Sequence, residues 1–372
     1  MKLLVLAGEE SGVHYAERIS AAVRARCPDV EIRGYSDYGF KTADLAVFGI
    51  WAVLRRIFFF LKVKRTMVRA IDEWKPDVVC TIDYPGMNLK LAAYAKSKGI
   101  KAVHVVCPQV WAWHQGRIPR IERSLDKICC FFPFEPAIFR PGLAEFVGHP
   151  LAQEFECGVG GGEERREKGL VALLPGSRLG EIEKHLPTLL EAVAPLEGIR
   201  VSIPAANDRA RAAIERIVSG FRSKPSTLKF KLSTLTIQSG GARELLRRAD
   251  VAAVASGTAT LEAALARCPT VLVYKVGPLL AAFLRRAING VKHVGLANII
   301  AEKSGAECPM PELLQENFTV EAVRGYLERW LGDPASRAEA AKKLDKTLEM
   351  LASSGDAYAR IADALLTQAS HA

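Results

Sequence analysis

Lys2-Leu3-Leu4-Val5-Leu6-Ala7-Gly8-Glu9-Glu10-Ser11-Gly12 is the stretch whose reading decides the architecture. Leu3 to Ala7 is apolar without alternation, the pattern of a strand covered on both faces. It breaks at Gly8, and a helix resumes from about Gly12. A strand, a Gly/Ser turn and a helix is how doubly wound α/β domains begin. The pattern recurs at Asp77–Ile82, Lys101–Val106 and Lys127–Phe132, with helical segments between that end near Pro76 and Gly99. Strands that alternate with helices predict a parallel sheet.

Around Cys157-Gly158-Val159-Gly160-Gly161-Gly162 the texture becomes glycine-rich and then highly charged, which marks a domain boundary. A second series starts at Leu170–Leu174 and continues through Arg200–Pro204, Ala249–Val254 and Thr270–Tyr274. The expected organisation is α/β, with two Rossmann-like domains facing a cleft. Residues 1–156 form an N-terminal domain, 157–168 a linker, 169–335 a C-terminal domain and 336–372 a helical tail that packs back on the first domain.

Composition narrows the class. The 372 residues are 49% hydrophobic and 25% charged, as in a globular chain, and carry a net charge of +10. That surplus favours an anionic partner: nucleic acid, phosphorylated small molecules or an anionic membrane face. Eight cysteines over this length, without a CxxC pair or HExxH, point away from a disulfide framework or a zinc site. The first apolar stretch is too short for a signal peptide, and no run approaches the about 18 apolar residues of a spanning helix. A cytoplasmic location is expected.

Two turns in the second half suit a diphosphate. Leu174-Pro175-Gly176-Ser177-Arg178 offers backbone amides, a hydroxyl and a guanidinium. Ser256-Gly257-Thr258-Ala259-Thr260-Leu261-Glu262 opens a second helix, with Glu262 placed for ribose hydroxyls. Arg178 and the amides near Ser177 and Ser256 are the expected diphosphate contacts. Each turn alone also reads as a plain αβ connection with an N-cap. The GxGxxG fingerprint, the Walker loop and the Asp-x-Asp pair are all missing, which points away from NAD, ATP and a metal-held sugar nucleotide. In the first half, Asp83 follows a strand and is either a general base or the cap of the next helix. Gln109-Val110-Trp111-Ala112-Trp113-His114 places two tryptophans in a loop, and loops seldom carry two unless they pack or bind. Phe58-Phe59-Phe60 lies among Arg55, Arg56, Lys62, Lys64 and Arg65. That reads as a membrane contact or as a mostly buried helix with snorkelling cations.

These strings, together with Pro133-Phe134-Glu135, Gly148-His149-Pro150-Leu151 and Pro311-Glu312-Leu313-Leu314-Gln315, occur in an order that resembles the lipid-A-disaccharide synthase family over nearly the whole chain. The resemblance implies an inverting, metal-independent GT-B glycosyltransferase without a cofactor. It would join UDP-2,3-diacylglucosamine to 2,3-diacylglucosamine 1-phosphate (lipid X), releasing UDP, as a peripheral protein on the anionic cytoplasmic face of the inner membrane, and it would not bind nucleic acid. It implies catalytic roles for Asp83, Arg178 and Asn298. UDP-sugar contacts fall on Gly176, Ser177, Arg178, Ser256, Gly257, Thr258, Glu262 and Asn298. Glu9, Ser11, Gly12, Gln109, Trp111 and Trp113 are the acceptor-side candidates. Val13 and Gly86 stand where the family carries acidic residues, and the stretch from Gly34 to Gly49 is short, so the departures fall on the acceptor side. Two other readings remain: a GT-B transferase with a different lipid-linked acceptor, and a membrane-associated UDP-sugar-binding protein without turnover.

Overall fold

Val78–Ile82 has no exposed residue, and the same holds for Leu3–Ala7 and Ala249–Ala255. Strands buried on both faces need helices above and below, and that requirement shapes both halves of the chain. The computed structural model describes residues 1–8, 10–45, 56–157, 166–222, 235–278, 281, 290–351 and 355–371. They separate into two units, one of Met1–Pro150 with Leu351–Ala372 and one of Leu151–Met350. Residues 158–165 of the expected linker lie outside the described residues.

The first unit begins with β1 (Lys2–Ala7), α1 (Glu10–Arg26), β2 (Glu31–Gly34), α2 (Ile57–Trp74), β3 (Val78–Ile82) and α3 (Pro85–Ser97). It continues through β4 (Lys101–Val105), α4 (Ile118–Ser124), β5 (Lys127–Cys130) and β6 (Ala144–Phe146). Its sheet is parallel with strand order β2-β1-β3-β4-β5-β6. Phe60, Val63, Met67, Ala70, Ile71 and Trp74 of α2 make one apolar stripe that covers a sheet face beside Leu4, Leu6 and Val79. The other face takes α1 and the last helix of the chain, Ala357–Ser370. Tyr358, Ile361, Ala362 and Leu365 of that helix pack with Leu3, Val5, Ile19, Val23 and Val103. The last helix therefore returns to the first unit, as expected, whereas the part of the expected tail up to Met350 belongs to the second unit. Arg360 pairs with Glu145 at 2.8 Å, and Arg26 with Asp363 at 2.7 Å.

The second unit runs α5 (Pro150–Cys157), β7 (Glu167–Leu174), α6 (Leu179–Val193), β8 (Arg200–Ala205), α7 (Asp208–Arg222), β9 (Leu235–Ser239), α8 (Ala242–Arg248) and β10 (Ala249–Ala255). α9 (Thr258–Leu265), β11 (Thr270–Tyr274), α10 (Leu296–Lys303), β12 (Glu312–Leu314), α11 (Val320–Gly332) and α12 (Pro334–Leu351) complete it. Its parallel sheet has the order β12-β11-β10-β7-β8-β9. No helix among the described residues is long and apolar enough to cross a membrane.

Candidate functional site

In the second unit the carboxyl ends of β7, β8 and β10 open onto a cavity of about 410 Å³. Gly176, Ser177 and Arg178 line it, and so do Ser256, Gly257, Thr258 and Ala259. The two turns read from the sequence thus meet in one place. A third wall, Gly240-Gly241-Ala242, was not foreseen. Gly241 is the N-cap of α8, and the Gly-Gly pair was its only sequence signal.

The Pro-Gly turn is built around Glu181. Gly176 has φ 114°, and a Cβ there would lie 2.5 Å from Oε2 and 2.7 Å from Cβ of Glu181, so the turn requires glycine. Glu181 Oε1 lies 2.9 Å from Nη1 of Arg178, and Oε2 accepts from the Arg178 amide at 3.4 Å. A carboxylate thus sits at the N-terminus of α6, where oriented amides favour an anion. The Arg178 side chain is 66% exposed, so this ion pair contributes at most about 1 kcal/mol and yields readily to a better anion. His185, buried on α6, holds the turn from below. The Lys275 amide donates to its Nε2 at 2.9 Å, which fixes the proton on Nδ1, facing the Pro175 carbonyl at 2.8 Å.

At the second turn, the Ser256 amide donates to Val273 O at 3.2 Å and its hydroxyl to Val294 O at 3.0 Å. The backbone donors that this turn offers a ligand are therefore those opening α9, at Thr258 and Ala259, since the first amides of a helix have no intrahelical acceptor. Glu262 is not among the cavity-lining residues. It accepts from Nε of Arg243 at 2.9 Å, and Arg243 also pairs with Glu154 at 2.6 Å. Asn298 is not brought to the cavity either. It is buried, with Nδ2 donating to Met310 O at 2.8 Å and to Glu312 Oε1 at 2.9 Å, and Oδ1 accepting the Met310 amide at 3.0 Å. Glu312 also accepts the amides of Val294 (3.1 Å) and Gly295 (3.0 Å). Asn298 and Glu312 form a bracket under the loop that carries the Ser256 acceptor.

In the first unit Asp83 stands at the carboxyl end of β3 with φ 47°, and Tyr84 follows at φ 50°. Two consecutive non-glycine residues in the left-handed region each cost on the order of 1–3 kcal/mol, so the surroundings must impose the conformation. Burial raises the pKa of the Asp83 carboxyl above its ordinary value, and a hydrogen bond from the Tyr84 amide opposes the rise. The helix after Asp83 begins at Pro85, with Tyr84 as its N-cap residue, so capping is not the role of the Asp83 side chain.

The two tryptophans diverge. Trp111, expected as an acceptor contact, is turned into the core by its polar edge. Its Nε1 donates to Glu135 at 3.1 Å, and its ring packs edge-on against Phe132 and Phe134. Glu135 is buried, accepts the Phe132 amide at 3.0 Å, and is pushed up to about 8 by desolvation. Trp113 is 45% exposed, and Gln109 is exposed. Gly12 is buried, and a Cβ there would lie 3.4 Å from Ala7 Cβ, so it packs helix on strand. Ser11 falls in the first turn of α1, and Glu9 lies outside the described residues.

The three phenylalanines also separate, because neighbours on a helix point about 100° apart. Phe58 is 83% exposed, beside exposed Ile57 and Leu61. Phe59 is half-buried, edge-on to Phe40 and under Arg56. Phe60, expected at a membrane, is instead a core residue in the α2 stripe. Lys62, Lys64 and Arg65 are exposed, and Arg55 lies outside the described residues.

A family model described as lipid-A-disaccharide synthetase matches residues 3–361. The lipid-A-disaccharide synthase of Xylella fastidiosa (strain 9a5c) is 36% identical over 355 residues, covering 90% of this chain and 89% of that protein. Among solved structures, UDP-GlcNAc 2-epimerase of Methanocaldococcus jannaschii, in complex with UDP-GlcNAc and UDP, superposes with a TM-score of 0.55 at 12% identity, over 99% of this chain and 100% of that one. A lipopolysaccharide outer core galactosyltransferase superposes with a TM-score of 0.53 at 13% identity, over 99% of both chains. At such identities these two show a shared fold, the GT-B arrangement.

Proposed function

Because the chain belongs to the lipid-A-disaccharide synthetase family, we propose that it is an inverting glycosyltransferase that moves 2,3-diacylglucosamine from UDP to the 6-hydroxyl of lipid X. The observation that carries this reading is the cavity of the second unit, which Arg178 and the N-termini of α6 and α9 line together. The UDP diphosphate binds there. Arg178 leaves Glu181 for the phosphates, which it reaches with two parallel donors, and the amides of Thr258 and Ala259 supply oriented dipoles. As the bond between the anomeric carbon and UDP breaks, these groups hold the growing negative charge, and no divalent metal is required.

Asp83 is the general base. The acceptor 6-hydroxyl attacks the anomeric carbon from the face opposite UDP, and its proton passes to Asp83. Desolvation raises the pKa of this carboxyl, which makes it a stronger base toward a hydroxyl than an exposed Asp. Asn298 acts as a positioning residue through Glu312, outside contact with the donor. Glu262 is held by Arg243 outside the cavity lining, so a contact with the ribose requires its carboxylate to leave that pair.

Both substrates carry acyl chains, so the enzyme works at a membrane surface. Phe58, Ile57 and Leu61 enter the lipid, and Arg56, Lys62, Lys64 and Arg65 meet anionic headgroups at about 1 kcal/mol each. Incubation of labelled lipid X with UDP-2,3-diacylglucosamine tests the reading. A labelled disaccharide 1-phosphate supports it. UDP release without that product, or transfer to another lipid acceptor only, would contradict it. The second outcome would fit the departures at Val13 and Gly86.

A further inference from the structure

Asn88 is wholly buried in the first turn of α3, and its side-chain amide is directed at backbone outside that helix. Its Nδ2 lies 3.0 Å from Leu6 O, 3.0 Å from Ile82 O and 2.9 Å from Asp83 O. An amide has two hydrogens, so three carbonyls share them, and all three belong to the carboxyl ends of β1 and β3. Its Oδ1 accepts from the Tyr35 hydroxyl at 2.9 Å. Tyr35 is itself buried, and that bond sets which end of the amide faces the carbonyls.

The clamp grips the backbone where it is most constrained. Asp83 and Tyr84 hold left-handed φ values of 47° and 50°, and the Asp83 amide is tied to Val105 O at 2.9 Å. Gly8 completes the fit, since a Cβ there would lie 2.5 Å from the Tyr84 ring. Without the Asn88 donors, the buried carbonyls of Leu6 and Ile82 and the part-buried one of Asp83 would turn toward other partners, and the Asp83 peptide would relax toward an ordinary conformation. The carboxylate would then point elsewhere.

We propose that Asn88, oriented by Tyr35, is the positioning residue that aims the Asp83 carboxylate at the acceptor hydroxyl. It touches neither substrate and acts only through the Asp83 peptide. The proposal rests on Asp83 being the general base, as read above.

The test is a double-mutant comparison. Asn88→Ala and Tyr35→Phe are each made in the wild-type chain and in Asp83→Asn, and kcat is measured with UDP-2,3-diacylglucosamine and lipid X. UDP affinity and Tm are followed alongside. A misaimed base loses about 10²-fold in turnover. Asn88→Ala should therefore lower kcat by about that factor, and Tyr35→Phe by about tenfold. UDP affinity should stay unchanged, because the UDP cavity belongs to the other unit. In the Asp83→Asn background the same substitutions should change kcat less than about twofold, since there is no base left to misaim. Equal losses in both backgrounds would overturn the proposal, and so would loss of UDP binding in Asn88→Ala. If Asn88→Ala does not fold, Tyr35→Phe carries the same comparison. Wild-type turnover in Asp83→Asn itself would remove the general-base reading, and with it this proposal. That single variant tells the two failures apart.

Discussion

The backbone amide of Lys275 donates to Nε2 of His185 at 2.9 Å, across 90 residues of sequence. β10 lies between β11 and β7, so this imidazole ties together the turns on either side of the strand that leads into Ser256. Replacing it with Phe keeps the bulk but removes the partner of the part-buried Lys275 amide and of the buried Pro175 carbonyl. His185→Phe should lose about 1–3 kcal/mol of stability in denaturant titration and bind UDP about tenfold more weakly by calorimetry. Unchanged UDP binding would mean that the Pro-Gly turn does not depend on this tie.

Glu181 lines the cavity and holds Arg178, so in the proposed function it competes with the diphosphate for that guanidinium. Glu181→Gln removes its charge but keeps a side chain suited to a helix first turn. UDP affinity should rise severalfold, with less dependence on salt, as measured by calorimetry at two ionic strengths. Weaker binding would show that Glu181 orients Arg178 for the ligand instead of competing with it.

Glu135 gives a pH signature to the first unit. Its folded pKa, pushed up to about 8 from 4.5, means that the folded chain holds a proton that the unfolded chain releases in between. Stability from this group is complete below about pH 4.5 and is lost as pH rises toward 8. Glu135→Gln should flatten the stability profile in that window, measured by urea unfolding at several pH values. A variant with the wild-type slope would assign the proton elsewhere.

Much of this fold was legible, and the strands that were not share a cause. β1, β3, β4, β5, β7, β8, β10 and β11 read as apolar runs because helices cover both their faces. β2, β6, β9 and β12 sit at the ends of the two sheets, short and half-exposed, and leave no run to find. The positions of Asp83 and Arg178 were legible because each follows the end of an apolar strand that the sequence marks. Asn88, Glu181 and His185 were not, because their roles depend on which backbone groups the fold leaves in need of a partner. Asn88 meets Leu6 across 82 positions, and no local pattern records that.

The exposed and buried phenylalanines of α2 make opposite forecasts. Phe58→Ser should leave Tm unchanged and weaken binding to anionic vesicles in a flotation assay, by about 1.5–3 kcal/mol if the ring is fully immersed. Phe60→Ser should instead lower Tm sharply, since it empties a core position and buries a hydroxyl. Vesicle binding that ignores Phe58→Ser would place the membrane contact elsewhere.

Inverting transfer without a metal is recorded in the linkage of the product and in its indifference to chelation. Purified protein is incubated with UDP-2,3-diacylglucosamine and lipid X in excess EDTA, and the product is analysed by NMR. A β-1,6-linked disaccharide 1-phosphate is expected, formed in equal amount to UDP and at an undiminished rate. An α linkage, or a reaction that stops with EDTA and resumes with Mg²⁺, would contradict it.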